Sequence, residues 1–133
     1  MLFDAWNGWL LYSPIALIPL TGLVLGRHSN RHSERIIILI LAMATYLFGS
    51  WWAWWFGGAF GQRCFVEYYA FLAIPFAAVA ERAWQKSWSK VAFTGLCVML
   101  IYYNLGLTYY YQARWDGANW TYESVWNEIK RLF

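Results

Sequence analysis

The sequence predicts an all-α, polytopic membrane protein with about four transmembrane helices and a short C-terminal amphipathic helix. Hydrophobic residues make up 61% of the 133-residue chain and charged residues only 13%, whereas a soluble domain usually carries about a quarter charged residues. Residues 5–26, 36–62 and 91–113 contain no Asp, Glu, Lys or Arg. These stretches are apolar on every side, while a surface helix of a soluble protein keeps one polar face. Lipid is therefore the predicted solvent.

Four segments reach the roughly 20 residues that a helix needs to cross a bilayer core of about 30 Å. The predicted spans cover residues 9–25, 36–55, 63–80 and 91–111, all within a membrane region over residues 1–111. Pro14 and Pro19 lie in the first span and Pro75 in the third, and each removes a backbone donor, so we expect kinks that neighbouring helices compensate. Asn104 in the fourth span is predicted to form a hydrogen bond between helices.

The C-terminal tail, residues 112–133, is polar at first and then predicts a short amphipathic helix. Six apolar residues recur at helical spacing: Tyr122, Val125, Trp126, Ile129, Leu132 and Phe133. Glu123 in the first turn and Lys130 and Arg131 in the last turn complement the helix dipole. We expect this helix to lie on the outer membrane surface or to dock on a partner.

The basic residues predict the topology. The first connection, residues 27–35, carries three arginines, and the third, residues 81–90, carries one arginine and two lysines, whereas the second, near residues 56–63, carries only Arg63. By the positive-inside rule, the first and third connections are cytoplasmic. Both termini and the second connection are then extracytoplasmic, in a multi-pass protein of the inner (plasma) membrane. Because topology explains the positive charge, no nucleic-acid partner is expected.

The second connection carries the candidate functional site. Trp51, Trp52, Trp54 and Trp55 precede a glycine-rich stretch and then Gln62, Arg63 and Glu67. Arg63 at a helix start can hold an anionic group, such as a lipid phosphate, or a partner, and Gln62 and Glu67 are candidates beside it. Alternatively, Glu67 neutralises Arg63 at a spacing of four residues. The tryptophans form an anchoring belt or an aromatic surface for a sugar or pigment.

Metal and cofactor chemistry is not expected from the remaining residues. Cys64 and Cys97 are predicted to lie at depths that differ by roughly 20 Å, too far for a disulfide, so both are expected to be free. His28 and His32 are four residues apart, but Glu34 is the only nearby carboxylate, so solvated loop residues are favoured over a metal site. No cofactor is predicted, and bound lipids are expected.

The string Gly-Ser-Trp-Trp-x-Trp-Trp over residues 49–55, with Phe-Gly-Gln-Arg over residues 60–63, resembles a known family. It is similar to the C-terminal transmembrane region of bacterial GT-C-type membrane glycosyltransferases, the relatives of protein O-mannosyltransferases and of the aminoarabinose transferase acting on lipid A. The resemblance implies sugar transfer from a polyprenyl-phosphate donor on the outer face of the membrane. The family's catalytic acid lies in an N-terminal half that has no counterpart in this sequence, and Asp4 does not match its motif, so no catalytic residue is assigned.

Two functions follow as expectations. The first is a non-catalytic integral membrane subunit that packs in or scaffolds a larger membrane protein complex and derives from a glycosyltransferase-like ancestor. Its partners would be membrane lipids and other membrane protein subunits, and it would not be an enzyme on its own. The alternative is the C-terminal fragment of a polyprenyl-phosphate-sugar-dependent membrane glycosyltransferase. A channel or transporter is disfavoured because Glu67 is the only ionisable residue inside a predicted span.

Overall fold

The computed structural model of this chain describes residues 1–25, 31–56, 61–114 and 119–133. All regular structure in these ranges is helical, which confirms the predicted all-α class. The α-helices are α1 (Trp9–Tyr12), α2 (Leu17–Leu25), α3 (Arg31–Gly49), α4 (Tyr69–Trp84), α5 (Ser87–Arg114) and α6 (Tyr122–Leu132). Two 3-10 helices, Pro14–Ala16 and Arg63–Tyr68, lead directly into α2 and α4.

Within the described ranges, three helical segments are long and apolar enough to cross a membrane: His32–Gly49, Arg63–Trp84 and Ser87–Tyr109. Most of their side chains are not buried within the protein. An apolar surface of this extent is soluble in lipid and not in water. The chain is therefore a membrane protein built around three candidate spans, and the prediction of four spans is not confirmed.

The segment predicted as the first span is divided at Ser13. This residue leaves the helical region, with φ −127° and ψ 61°, because proline disfavours the α conformation in the residue before it. The stretch from Pro14 to Leu25 that follows is helical, but at 1.5 Å per residue it is only about 18 Å long. Pro19 lies in the first turn of α2 and does not break it. The expected kink is thus a full break at Pro14.

Side chains of α5 satisfy the carbonyl groups that this break leaves without backbone donors. The Tyr103 hydroxyl donates to the Leu11 carbonyl oxygen at 3.0 Å. The Asn104 amide donates to the Tyr12 carbonyl oxygen at 2.7 Å and to the Ser13 hydroxyl at 3.3 Å. In lipid, every backbone polar group must find a partner inside the protein. The predicted interhelical role of Asn104 is confirmed, and it stabilises the proline break.

Helices α2 and α4 pack closely at Gly22. A β-carbon built on Gly22 would lie 2.8 Å from the Pro75 carbonyl oxygen and 2.8 Å from Val79 Cγ2. Only glycine permits this approach, as small residues do at many helix crossings in membranes. The contact borders a core in which the buried side chains come from four helices: Trp9, Leu10, Leu23, Ile37, Leu41 and Leu72.

Helix α3 ends at Gly49, six residues before the predicted end at Trp55. Glycine and serine have low helix propensity, and the Ser50 hydroxyl donates to the Tyr46 carbonyl oxygen at 2.7 Å, which closes the last turn. The four tryptophans lie in the turns that follow. The prediction that they extend the helix is therefore wrong.

Helices α4 and α5 form a hairpin with a shorter connection than predicted. Only Gln85 and Lys86 separate them, so most of the predicted loop over residues 81–90 is helical. Phe93 of α5 contacts Phe76 and Trp84 of α4, with ring centroids 5.8 Å and 5.9 Å apart. Aromatic edge contacts of this kind hold the two spans side by side.

The predicted C-terminal helix is confirmed as α6. The Thr121 hydroxyl caps it by accepting the Ser124 amide N–H at 3.4 Å. Its apolar side docks on this chain: Val125 is buried with Ala5, Tyr12 and Leu107. The tail is thus held by the N-terminal segment and α5 of the same chain.

The Tyr12 hydroxyl links the tail to the N-terminal segment, because it donates to the Ala5 carbonyl oxygen and accepts the Trp120 indole N–H at 2.8 Å. Tyr12→Phe leaves both groups without this partner, and unpaired buried groups cost about 1–3 kcal/mol. We expect faster hydrogen exchange in residues 120–132 and a lower unfolding temperature in detergent. Tyr46→Phe, at a position of α3 that is 73% exposed, is the comparison variant, and equal exchange in the two variants would contradict the link.

Candidate functional site

The tryptophan turn, residues 50–56, lies against the N-terminal segment of the chain. Trp6 stacks on Trp55 with ring centroids 4.4 Å apart and 16° between the planes. The same ring meets Trp54 edge-on at 6.1 Å and 80°. Offset stacking and edge contacts are the favoured arrangements of aromatic pairs. Two of the four predicted surface tryptophans, Trp54 and Trp55, are therefore half-buried in an aromatic cluster with Trp6.

Two buried amide side chains hold the backbone of the tryptophan turn. Asn7 Nδ2 donates to the Trp55 carbonyl oxygen at 2.6 Å, and Gln62 Nε2 donates to the Trp54 carbonyl oxygen at 2.6 Å. Asn7 is 0% exposed and Gln62 is 3% exposed. Because they bind consecutive carbonyl groups from two sides, they fix the conformation of the turn. Gln62, predicted as an anion or partner ligand, is placed as a buried positioning residue.

The two amides and Trp6 keep unused hydrogen-bonding atoms. Asn7 Oδ1, Gln62 Oε1 and Trp6 Nε1 are buried and have no hydrogen-bond partner. Buried polar groups of this kind are normally satisfied by protein or ordered water. Two acceptors and one donor beside the turn match the hydrogen-bonding pattern of a water molecule, which donates two hydrogen bonds.

Positive φ angles occur on both sides of residues 57–60. Gly61 has φ +62°, a conformation that glycine adopts at little cost, and Phe56 has φ +50°. A bulky residue with positive φ is uncommon; its ring contacts Phe48 edge-on at 5.6 Å, which holds it in place. Gly57 and Gly58, part of the predicted glycine-rich turn, lie outside the described residues.

Arg63 and Glu67 do not form the predicted ion pair. Both are exposed, and they belong to a 3-10 helix over Arg63–Tyr68. With three residues per turn, positions four apart point about 120° away from each other, whereas in an α-helix they would share a face. Mutual neutralisation is therefore wrong as the explanation of these two charges, and Arg63 remains available to an anion.

The chain segment that carries Arg63 is anchored by Phe65. Phe65, two residues on, is fully buried and stacks on Trp9 with ring centroids 4.0 Å apart and 5° between the planes. Trp51 and Trp52, at the start of the tryptophan turn, are 55% and 80% exposed. Trp51, Trp52 and Arg63 are exposed residues of two segments that the Gln62–Trp54 hydrogen bond joins. Together they are called the tryptophan–arginine surface below.

The N-terminal segment supplies residues that sequence reasoning did not select. Asn7 precedes Gly8, and a β-carbon on Gly8 would lie 2.5 Å from backbone atoms of Asp4. The Asn7-Gly8 pair is a sequence signal that predicts a turn. It does not predict the contact between Asn7 and Trp55, which lies 48 residues away.

Several contacts bring the N-terminal segment, the tryptophan turn and the C-terminal part of α5 to one end of the bundle. Asn7 contacts Trp55, Tyr103 contacts Leu11, and Trp120 contacts Tyr12. Since α4 runs away from this end, the turn at Gln85–Lys86 lies at the other. The structure thus separates the tryptophan–arginine surface from the connection between α4 and α5.

The described residues form no cluster of three or more His, Cys, Asp or Glu side chains able to hold a metal ion. His28, part of the histidine pair considered above, lies outside those residues. Cys64 and Cys97 are free cysteines, which confirms their predicted unpaired state.

No protein-family model, curated protein or solved structure matches this chain. The resemblance to GT-C-type glycosyltransferases remains a prediction from the tryptophan-rich string, and the function has to be argued from the site.

Proposed function

We propose that this chain is a non-catalytic integral membrane subunit that packs in or scaffolds a larger membrane protein complex and derives from a glycosyltransferase-like ancestor. The observation that carries the proposal is the tryptophan–arginine surface. Trp51 and Trp52 stand on the tryptophan turn, whose backbone is held by the buried amides of Asn7 and Gln62, and Arg63 directly follows Gln62.

This surface has the composition and rigidity of a protein-binding site. Tryptophan and arginine are enriched among the residues that contribute most to binding energy. A surface that is already ordered loses less conformational entropy on association, and the hydrogen bonds to Trp54 and Trp55 supply that order. Membrane lipids and other membrane protein subunits are the proposed partners.

The proposed orientation takes residues 9–25, despite the break at Ser13, as a fourth crossing. It places both termini and the tryptophan–arginine surface on the extracytoplasmic side of the inner (plasma) membrane. Arg82, Lys86 and Lys90 cluster around the short connection between α4 and α5, at the opposite end of the bundle. The positive-inside rule assigns such an end to the cytoplasm.

The test is to isolate the native protein in mild detergent and to determine the mass and composition of its complex. We expect a stoichiometric partner chain. Trp52→Ala and Arg63→Ala should each weaken its retention by about thirtyfold or more, since truncating a residue central to binding costs about 2 kcal/mol or more.

Two variants outside the surface serve as controls. Trp88→Ala removes an exposed tryptophan of α5, and Arg35→Ala removes an exposed arginine of α3. Both should retain the partner. A native chain that migrates alone, or a partner released equally by all four variants, would refute the proposal.

The same surface also favours a second candidate, the C-terminal region of a polyprenyl-phosphate-sugar-dependent membrane glycosyltransferase. Arg63 suits a phosphate group, and exposed tryptophan rings suit the apolar face of a sugar. An antibody against α6 would then detect a polypeptide several times heavier than 15.7 kDa. A band at 15.7 kDa, together with polyprenyl-phosphate binding that Arg63→Ala leaves unchanged, would exclude it.

A further inference from the structure

We propose that an apolar groove beneath α6 binds one acyl chain of a membrane phospholipid. The groove has a volume of about 460 Å³ and is open along one side. Its walls come from the N-terminal segment, the Pro14 break, α5 and the end of α6. The residues that define it here are Phe3, Leu11, Pro14, Met99, Leu100 and Phe133. This inference is independent of the proposed complex.

The groove lies at hydrocarbon depth. Leu100 precedes Tyr109, the end of the third candidate span, by nine residues, which corresponds to about 14 Å along a helix. Half of a bilayer core is about 15 Å thick. The lower part of the groove therefore reaches towards the middle of the membrane, where only hydrocarbon or protein can fill it.

The chemistry of the groove excludes water as a stable occupant. Its lining is almost entirely carbon, and the Tyr103 hydroxyl in its wall already donates to the Leu11 carbonyl oxygen. An apolar cavity without free polar groups stays dry. The volume suits a single linear chain, whereas a membrane helix is about 10–12 Å across with its side chains.

The N-terminal part of α6 provides the upper end of the site at the level of lipid headgroups. Tyr122, Trp126 and Phe133 are spaced by four and seven residues, so they share one side of α6, and all three are exposed. Lys130 Nζ lies 5.6 Å from the centre of the Trp126 ring. Exposed aromatics beside a basic residue are typical of a helix lying in the membrane interface.

The lower end of α6 connects this interface to the groove. Phe133 lines the groove and meets the Tyr102 ring at 6.0 Å, and the Tyr102 hydroxyl donates to the Leu132 carbonyl oxygen at 3.1 Å. Tyr102 precedes Tyr109 by seven residues, or about 10 Å. A lipid with its headgroup beside α6 can therefore extend one chain past Phe133 into the groove.

The experiment uses the full chain in nanodiscs of phosphatidylcholine that contain a trace of phosphatidylcholine with a diazirine on one acyl chain. After illumination, peptide mapping locates the labelled residues. We expect Met99 and Leu100 to be labelled well above Val98, which is 61% exposed on α5 and does not line the groove.

Leu100→Trp fills the groove and should reduce labelling of Met99 and Pro14 by about tenfold. Val98→Trp adds the same ring outside the groove and should leave labelling unchanged. Leu100→Ala enlarges the groove and adds no bulk, so Met99 should still be labelled in this variant. The test therefore does not depend on Leu100→Trp alone, which could fail to fold. Equal labelling of Met99 and Val98 in the unmodified chain would show that α5 contacts only bulk lipid. That result would overturn the proposed acyl-chain site. Groove residues left unlabelled because a protein chain covers them would overturn it as well.

Discussion

Replacing Asn7 with Asp is expected to destabilise the protein by about 3 kcal/mol or more, since the substitution places a charge in a buried site and removes a hydrogen-bond donor. Asn7 is fully buried, and its amide nitrogen lies 2.6 Å from the Trp55 carbonyl oxygen. An ionised carboxylate at this point would face that carbonyl oxygen as a second acceptor. The measurement is the free energy of unfolding in detergent, followed by tryptophan fluorescence.

Three comparisons make this prediction specific. Asn7→Leu removes the donor without adding a charge, so its loss should be smaller. Asn127→Asp makes the same chemical change at an exposed position of α6 and should stay within about 0.5 kcal/mol of the unmodified protein. A protonated carboxyl group can donate to Trp55, so the deficit of Asn7→Asp should shrink as the pH falls. Equal stability of Asn7→Asp and Asn127→Asp would show that the amide does not hold the tryptophan turn.

Gly22→Ala is expected to cost about 2 kcal/mol, within the usual range for overpacking a well-packed core. The added β-carbon would lie 2.8 Å from both the Pro75 carbonyl oxygen and Val79 Cγ2. The carbonyl oxygen belongs to the backbone of α4, so the conflict is relieved only by moving α2 away from α4. We expect a lower unfolding temperature and easier proteolysis within α2.

The matched control is Gly95→Ala. A β-carbon at Gly95 on α5 would meet no heavy atom within 4 Å. Alanine there restricts the unfolded chain and favours the helix, so the expected change is neutral or a gain of about 0.4–1 kcal/mol. If the two alanine variants proved equally stable, α2 and α4 would not be packed as closely as described.

The helices at the two ends of the chain show what local sequence patterns can and cannot predict. The amphipathic spacing in residues 122–133 correctly predicted α6, because helical periodicity and capping are properties of adjacent residues. The same reasoning joined residues 9–25 into one span, although Ser13 departs from the helix. A break at proline inside a membrane becomes tolerable when donors such as Tyr103 and Asn104 come from another helix. The sequence of residues 9–25 does not show whether another helix supplies such donors.

At the candidate site too, the sequence predicted some features and the tertiary structure decided others. Sequence reasoning selected Trp52 and Arg63, which are exposed, and also Gln62, which is buried beneath them. The spacing of Arg63 and Glu67 predicted an ion pair only under the assumption of an α-helix. The 3-10 geometry of this segment directs the two side chains away from each other.

The sequence by itself determined the solvent of this protein, its helical class and the position of its amphipathic tail, because hydropathy and periodicity act over a turn or two of chain. Only the tertiary structure decided which tryptophans are exposed and which are packed. Asn7 and Trp55 are 48 residues apart, and a side-chain amide binds whichever carbonyl group the fold brings within hydrogen-bonding distance. The groove beneath α6 likewise exists only because the N-terminal segment, α5 and α6 meet at one end of the bundle.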